Sequence, residues 1–89
     1  MSDAERLSHH HRATLERIFQ HPVTHNLEWN DVRSLLNAIA VVEEKKDGKI
    51  TVTLNDASQT FERPKHKDVD AQEVIDLRHL LESGGFRPE

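Results

Sequence analysis

The sequence predicts an α+β fold: a two-layer domain in which a three-stranded antiparallel sheet carries helices on one face, in an α-β-β-β-α order with an extra N-terminal helix. Two changes of hydrophobic period and one dipeptide predict it. Apolar residues recur at helical spacing, a period of about 3.6, up to residue 40, then alternate with a period of about 2 from near residue 41. They return to helical spacing near residue 70. Inside the alternating region stands Asp47-Gly48, a pair that accepts the positive φ angles of a tight hairpin.

The first helix is read from "SHHHRATLERIFQHP", where Leu15, Ile18 and Phe19 share one face and Leu7 with His11 extends it. Ser8 or Ser2 supplies the cap, Ser2 with Glu5 making a capping-box pattern. Pro22 ends the helix, because its ring disfavours a helical residue before it, and "PVTHN" is a connector. In "EWNDVRSLLNAIA" the residues Val32, Leu35, Leu36 and Ile39 form the stripe of a second helix, with Trp29 in its first turn.

The strands follow. Ile50, Val52 and Leu54 alternate with Thr51 and Thr53, the pattern of a half-buried strand. The turn "KDGK" before it is expected to be type I′, which makes residues 41–46 the partner strand. After the turn "NDAS", the stretch "SQTFER" is a third strand anchored by Phe61. The last helix has Asp70 as N-cap, Glu73 completing a capping box, and Val69 with Val74 at the positions of a hydrophobic staple. Val74, Leu77 and Leu81 make its apolar face, widened by Leu80, and Gly84 or Gly85 supplies the left-handed residue beyond its end.

The 89 residues fit one domain spanning 1–89, divided into an N-terminal helix and connector (1–25) and an α-β-β-β-α unit (26–89). With 35% apolar and 4% aromatic residues, the core rests on Val, Ile and Leu, with Trp29 among the few large pieces. A net charge of -4 argues against a general nucleic-acid coat and leaves room for a local basic patch. The absence of cysteine excludes disulfides and thiolate metal sites. No apolar run nears the roughly 20 residues of a membrane span, and "MSDAERLSHHHR" has no signal-peptide core. A soluble, cytoplasmic protein is the expectation.

Cations gather at two places: Lys45, Lys46 and Lys49 at the first hairpin, and Arg63, Lys65, His66 and Lys67 after the third strand, at its opposite end unless strand lengths bring them round to one face. In one reading, Lys49, Arg63, Lys65, His66 and Lys67 line the open sheet face or its rim and hold phosphates. The N-terminus of the last helix adds its positive end, although Asp70 competes for the same N–H groups. His66 is then the candidate general acid or base, since imidazole titrates near neutrality. Asp68 or Asp70 could orient it, with a helix cap the alternative use of Asp70. In the other reading these are solvated surface residues, and edge lysines discourage strand-to-strand aggregation. No metal or cofactor is expected. His9, His10 and His11 are consecutive, so on a helix they point about 100° apart. His21 and His25 have ligand spacing, but Pro22 lies between them. Gly-rich phosphate loops, GxSxG and HExxH are absent.

Residues 29–86 resemble the HicA family, small toxins of bacterial toxin–antitoxin pairs. The likeness rests on the "LLNAI" helix, Gly48 in the hairpin, Pro64 and His66 after the third strand, and Gly84 or Gly85 with Phe86 closing "LRHLLESGGF". It implies a double-stranded-RNA-binding-domain-like fold, RNA contact, messenger-RNA cleavage and an antitoxin-like protein partner. One departure bears on activity. The family carries its catalytic His in a Gly-Ser-His at the start of the second strand, where this chain has Gly48-Lys49-Ile50, and no histidine occurs from 26 to 65. The resemblance thus implies either an mRNA interferase-type toxin, with His66 as acid/base and Lys49 or Lys65 stabilising phosphorane-like charge, or a catalytically inactive relative. The alternative is a protein-interaction module without RNA activity, using the N-terminal helix and the acidic residues Glu5, Glu16, Asp31, Asp76 and Glu82.

Overall fold

Ser8 opens the first helix, α1 (His9–Ile18), in the computed structural model, which describes residues 7–20, 27–63 and 67–87. Its backbone is extended and its Oγ accepts the His11 N–H at 3.3 Å, satisfying one donor the helix itself cannot. Ser2, Glu5 and Pro22, named above as cap, box and stop, lie outside the described residues. Leu15 and Ile18 are fully buried, and Thr14, the one buried polar residue among the described residues, returns its hydroxyl to the His10 carbonyl at 3.2 Å.

The second helix, α2 (Trp29–Ile39), starts at Trp29 as expected, but Glu28 in the N-cap position makes no side-chain cap. Backbone substitutes for it: the Trp29 N–H donates to the Lys67 carbonyl at 2.9 Å, and the Val69 N–H donates to the Leu27 carbonyl at 2.8 Å. Glu28 and Asp68 thereby form an isolated antiparallel bridge. This clip ties the start of α2 to the start of the last helix, so both helices begin at the same end of the molecule.

The strands β1 (Val41–Glu44), β2 (Lys49–Leu54) and β3 (Ala57–Glu62) form an antiparallel sheet in the order β1-β2-β3. The register pairs Val42 with Val52, Ile50 with Phe61, and Thr51 with Thr60. Paired residues share a face, so Ile50, Val52, Leu54 and Phe61 are buried under the helices while Thr51, Thr53, Ser58 and Thr60 look the other way. The first hairpin differs from expectation. β1 ends at Glu44, and only Gly48 there has positive φ (+87°); Asp47 does not. The Gly48 N–H donates to the Lys45 carbonyl at 3.1 Å. The turn is therefore centred on Lys46 and Asp47, with Gly48 as the left-handed residue that follows, rather than a type I′ turn on Asp47-Gly48. In the second hairpin the left-handed residue is Asn55, with φ of 54°.

The third helix, α3 (Ala71–Ser83), has the Asp70 cap the sequence indicates, the Glu73 N–H donating to the Asp70 carboxylate at 2.9 Å, but the Glu73 side chain does not return the bond that would complete the capping box. Its far end is a Schellman closure, with the Gly85 N–H on the Glu82 carbonyl (3.1 Å) and the Phe86 N–H on the Leu81 carbonyl (2.8 Å). Gly85 takes the left-handed role at φ +89°. Gly84 serves a different need, since a Cβ there would overlap the buried Leu54 side chain. One core results, with α2 and α3 on the sheet and α1 packed on both helices; Leu15 and Ile18 of α1 join Leu36, Val52, Phe61 and Leu77 in it, and Trp29 packs at its rim.

Candidate nucleic-acid interface

In an antiparallel meander, the end of a third strand returns to the hairpin that joins the first two. Arg63 accordingly lies beside the first hairpin, its N–H donating to the Gly48 carbonyl at 3.2 Å, and Lys49 stands opposite Glu62 in register. The described cations of the two groups are thus at one end of the sheet rather than at opposite ends. Lys67 belongs to the same end through its backbone bond to Trp29. Lys65 and His66 lie outside the described residues.

The open sheet face itself is not basic. It carries the hydroxyls of Thr51, Thr53, Ser58 and Thr60, with the Thr51 and Thr60 oxygens 3.4 Å apart, and the apolar Val41, 64% exposed. Its charges oppose each other: Lys49 faces Glu62 across the strands, and Lys45 is paired with Glu43 at 2.8 Å. That bond and the charge beside it hold the Glu43 carboxyl below its ordinary range and push the Lys45 ammonium up. The cations that do project from the sheet end are held as well. Lys67 is 3.4 Å from Glu28, and Arg63 is 3.0 Å from Glu44. These pairs are exposed, so each contributes only about 0–1 kcal/mol, and an incoming anion can exchange for the carboxylate at small cost.

Several participants had no signature in the sequence. Arg33, one residue beyond the core position Val32 on α2, reaches Glu44 at 2.7 Å, so a single carboxylate holds the heads of two arginines. Arg78 on α3 donates from Nε to the Ile18 carbonyl and from a terminal nitrogen to the Gln20 carbonyl, both at 2.6 Å. It closes the C-terminal end of α1, where a cation is favourable. His10 meets Asp31 at 3.5 Å, joining α1 to α2. These contacts join residues far apart in sequence, which local periodicity does not register.

The N-terminus of α3 is less available to an anion than its position suggests, because Asp70 already takes the Glu73 N–H. The Glu73 side chain is the most perturbed acid there. Partial burial pushes its pKa up to about 7, and Asp70, Asp76 and Glu62 add to the rise. A carboxyl that exchanges its proton near neutrality can act as donor or acceptor, a property the capping-box pattern does not reveal. Among the described residues no group of three or more His, Asp or Glu side chains could hold a metal ion, and no helix is long and apolar enough to cross a membrane.

The chain matches no protein-family model, no curated protein and no solved structure.

Proposed function

We propose that this chain is a HicA-like RNA-binding domain that meets RNA phosphates at the first-hairpin end of its sheet. The observation that carries the reading is the convergence of Lys49, Arg63 and Lys67, distant in sequence, on one end of the meander beside a hydroxyl-lined open face. Double-stranded RNA is recognised largely by shape, phosphates and 2′-hydroxyls, and such a surface requires no base-reading motif. The internal ion pairs at this end make the contact weak and salt-sensitive. His66 remains the acid/base candidate for RNA cleavage in this reading. His66→Ala is then expected to abolish cleavage of a bound transcript and leave binding intact, whereas a catalytically inactive relative cleaves nothing in either form.

Titration of a short RNA duplex at low and high salt tests the proposal. Binding should fall steeply with salt, and Lys49→Glu with Lys67→Glu should remove it while the domain stays folded, since both side chains are exposed. Binding that survives this double reversal would count against the hairpin end.

A protein partner is the second reading, favoured by the neutralisation of Lys45, Lys67 and Arg63 by Glu43, Glu28 and Glu44. Glu16 and Glu82 are then the exposed acidic residues that would meet an antitoxin-like protein. RNA binding at neither salt, together with a stable complex with such a protein, would favour it.

A further inference from the structure

We propose that Arg33 and Arg63 form a two-guanidinium phosphate clamp, pre-set by Glu44, on the helix-covered side of the sheet's hairpin end. The inference rests on the RNA reading and adds to Arg63, already a phosphate candidate from the sequence, a second guanidinium from α2 and the carboxylate that holds both.

The geometry begins with register. Glu44 pairs with Ile50, and Ile50 with Phe61, so Glu44 belongs to the covered side of β1. Arg63 lies two residues beyond Phe61 and is fixed by its N–H bond to Gly48. Arg33 approaches from α2. The two guanidiniums close on separate oxygens of one carboxylate, Arg33 on Oε1 at 2.7 Å and Arg63 on Oε2 at 3.0 Å.

Charge and exposure make this more than an internal tie. Two cations share one anion, so the group keeps a net positive charge. The Arg33 and Arg63 side chains remain 44% and 57% exposed, and Glu44 34%. A guanidinium has five N–H donors, and each arginine contacts Glu44 through a single terminal nitrogen. Among the described residues Glu44 is the carboxylate partner of both guanidiniums, and the oxygens of a tetrahedral phosphate accept the fork of an arginine well. Glu44 holds two long side chains in one place and so lowers the entropy lost when the anion arrives. It also repels that anion. A phosphodiester of double-stranded RNA fits the chemistry; Lys49, at the same sheet end but on the open face, is a separate contact.

The experiment is a binding titration of a synthetic RNA duplex of about 16 base pairs to the full chain across a salt series. Wild type, Arg33→Gln, Arg33→Lys, Glu44→Gln and Lys49→Glu are compared, and thermal melts verify folding. Arg33→Gln is expected to weaken binding and to reduce the slope of log affinity against log salt by about 1, as loss of one phosphate contact does. Arg33→Lys should retain the slope and lose part of the affinity. Glu44→Gln should tighten binding, because the competing charge is removed while the amide oxygen can still accept from one of the two guanidiniums. A purely structural bridge would instead lower the melting temperature in Arg33→Gln and Glu44→Gln and leave both affinity and slope unchanged; that result overturns the clamp. If Lys49→Glu weakens binding and Arg33→Gln does not, the clamp falls and the RNA reading stands. If wild type binds no duplex, both fall.

Discussion

Gly84 and Gly85 are adjacent and do unlike work, and each makes a distinct demand on a side chain. Gly85 carries the positive φ of the Schellman closure. Gly84 has ordinary φ but lies against Leu54, which is fully buried and cannot swing away. Asn55 adds a bond from its side-chain amide to the Gly84 carbonyl at 2.6 Å, tying the second hairpin to the end of α3. Gly84→Ala is therefore expected to cost about 1–3 kcal/mol, the range for overpacking a filled core, measurable by urea unfolding. A cost near zero would mean that this contact yields. Glu73 supports a second expectation. Its folded pKa of about 7 lies above the ordinary carboxylate value, so the folded state holds the proton more tightly than the unfolded chain. Its contribution to stability is then fully present at acid pH, below the unfolded value, and is lost as pH rises through about 7. Glu73→Gln, which keeps the neutral shape, should melt close to wild type at pH 4 and above it at pH 8. Equal melting temperatures at both would refute the shift.

The helices and strands are where sequence and structure agree most closely, because each announces itself within a few residues. The alternation of Ile50, Val52 and Leu54 gives β2, and Val74, Leu77 and Leu81 give α3 with its Asp70 cap. Leu77→Ala should cost roughly 2–5 kcal/mol, as large-to-small changes in a core do; a cost of about 0.5 kcal/mol or less, the surface range, would misplace that helix face. The turn of the first hairpin was not legible: Asp-Gly suits a type I′ turn, but it serves equally as the end of a longer turn in which Gly alone is left-handed. The attachment of α1 was not legible either. It depends on Arg78 reaching the carbonyls of Ile18 and Gln20, about 60 residues earlier in the chain. Arg78→Ala is expected to speed amide hydrogen exchange in α1 more than in α2 or the sheet, by exposing a helix end that loses its charged donor. Uniform acceleration across all elements would mean that α1 has no separate attachment.

At the scale of the whole molecule, an acidic chain brings its sheet-end cations together by topology while pairing most of them internally. The sequence marked Lys49, Arg63 and Lys67, but not that the meander would gather them or that Glu28, Glu43 and Glu44 would hold their neighbourhood close to neutral. Nothing in the local pattern singles out Arg33, since its partner is set by how α2 crosses β1. Under the proposed function, RNA contact at this one end is steered and salt-sensitive, with the hydroxyl-lined face beside it and α1 outside the contact. The most direct measurement is a backbone-amide spectrum of the labelled full chain titrated with an RNA duplex at low and high salt. We expect shifts or broadening at residues 44–49, 62–63 and 67, stronger at low salt, with α1 unaffected. Perturbation confined to α1 and the exposed acidic positions, or none at either salt, would contradict RNA binding at the hairpin end.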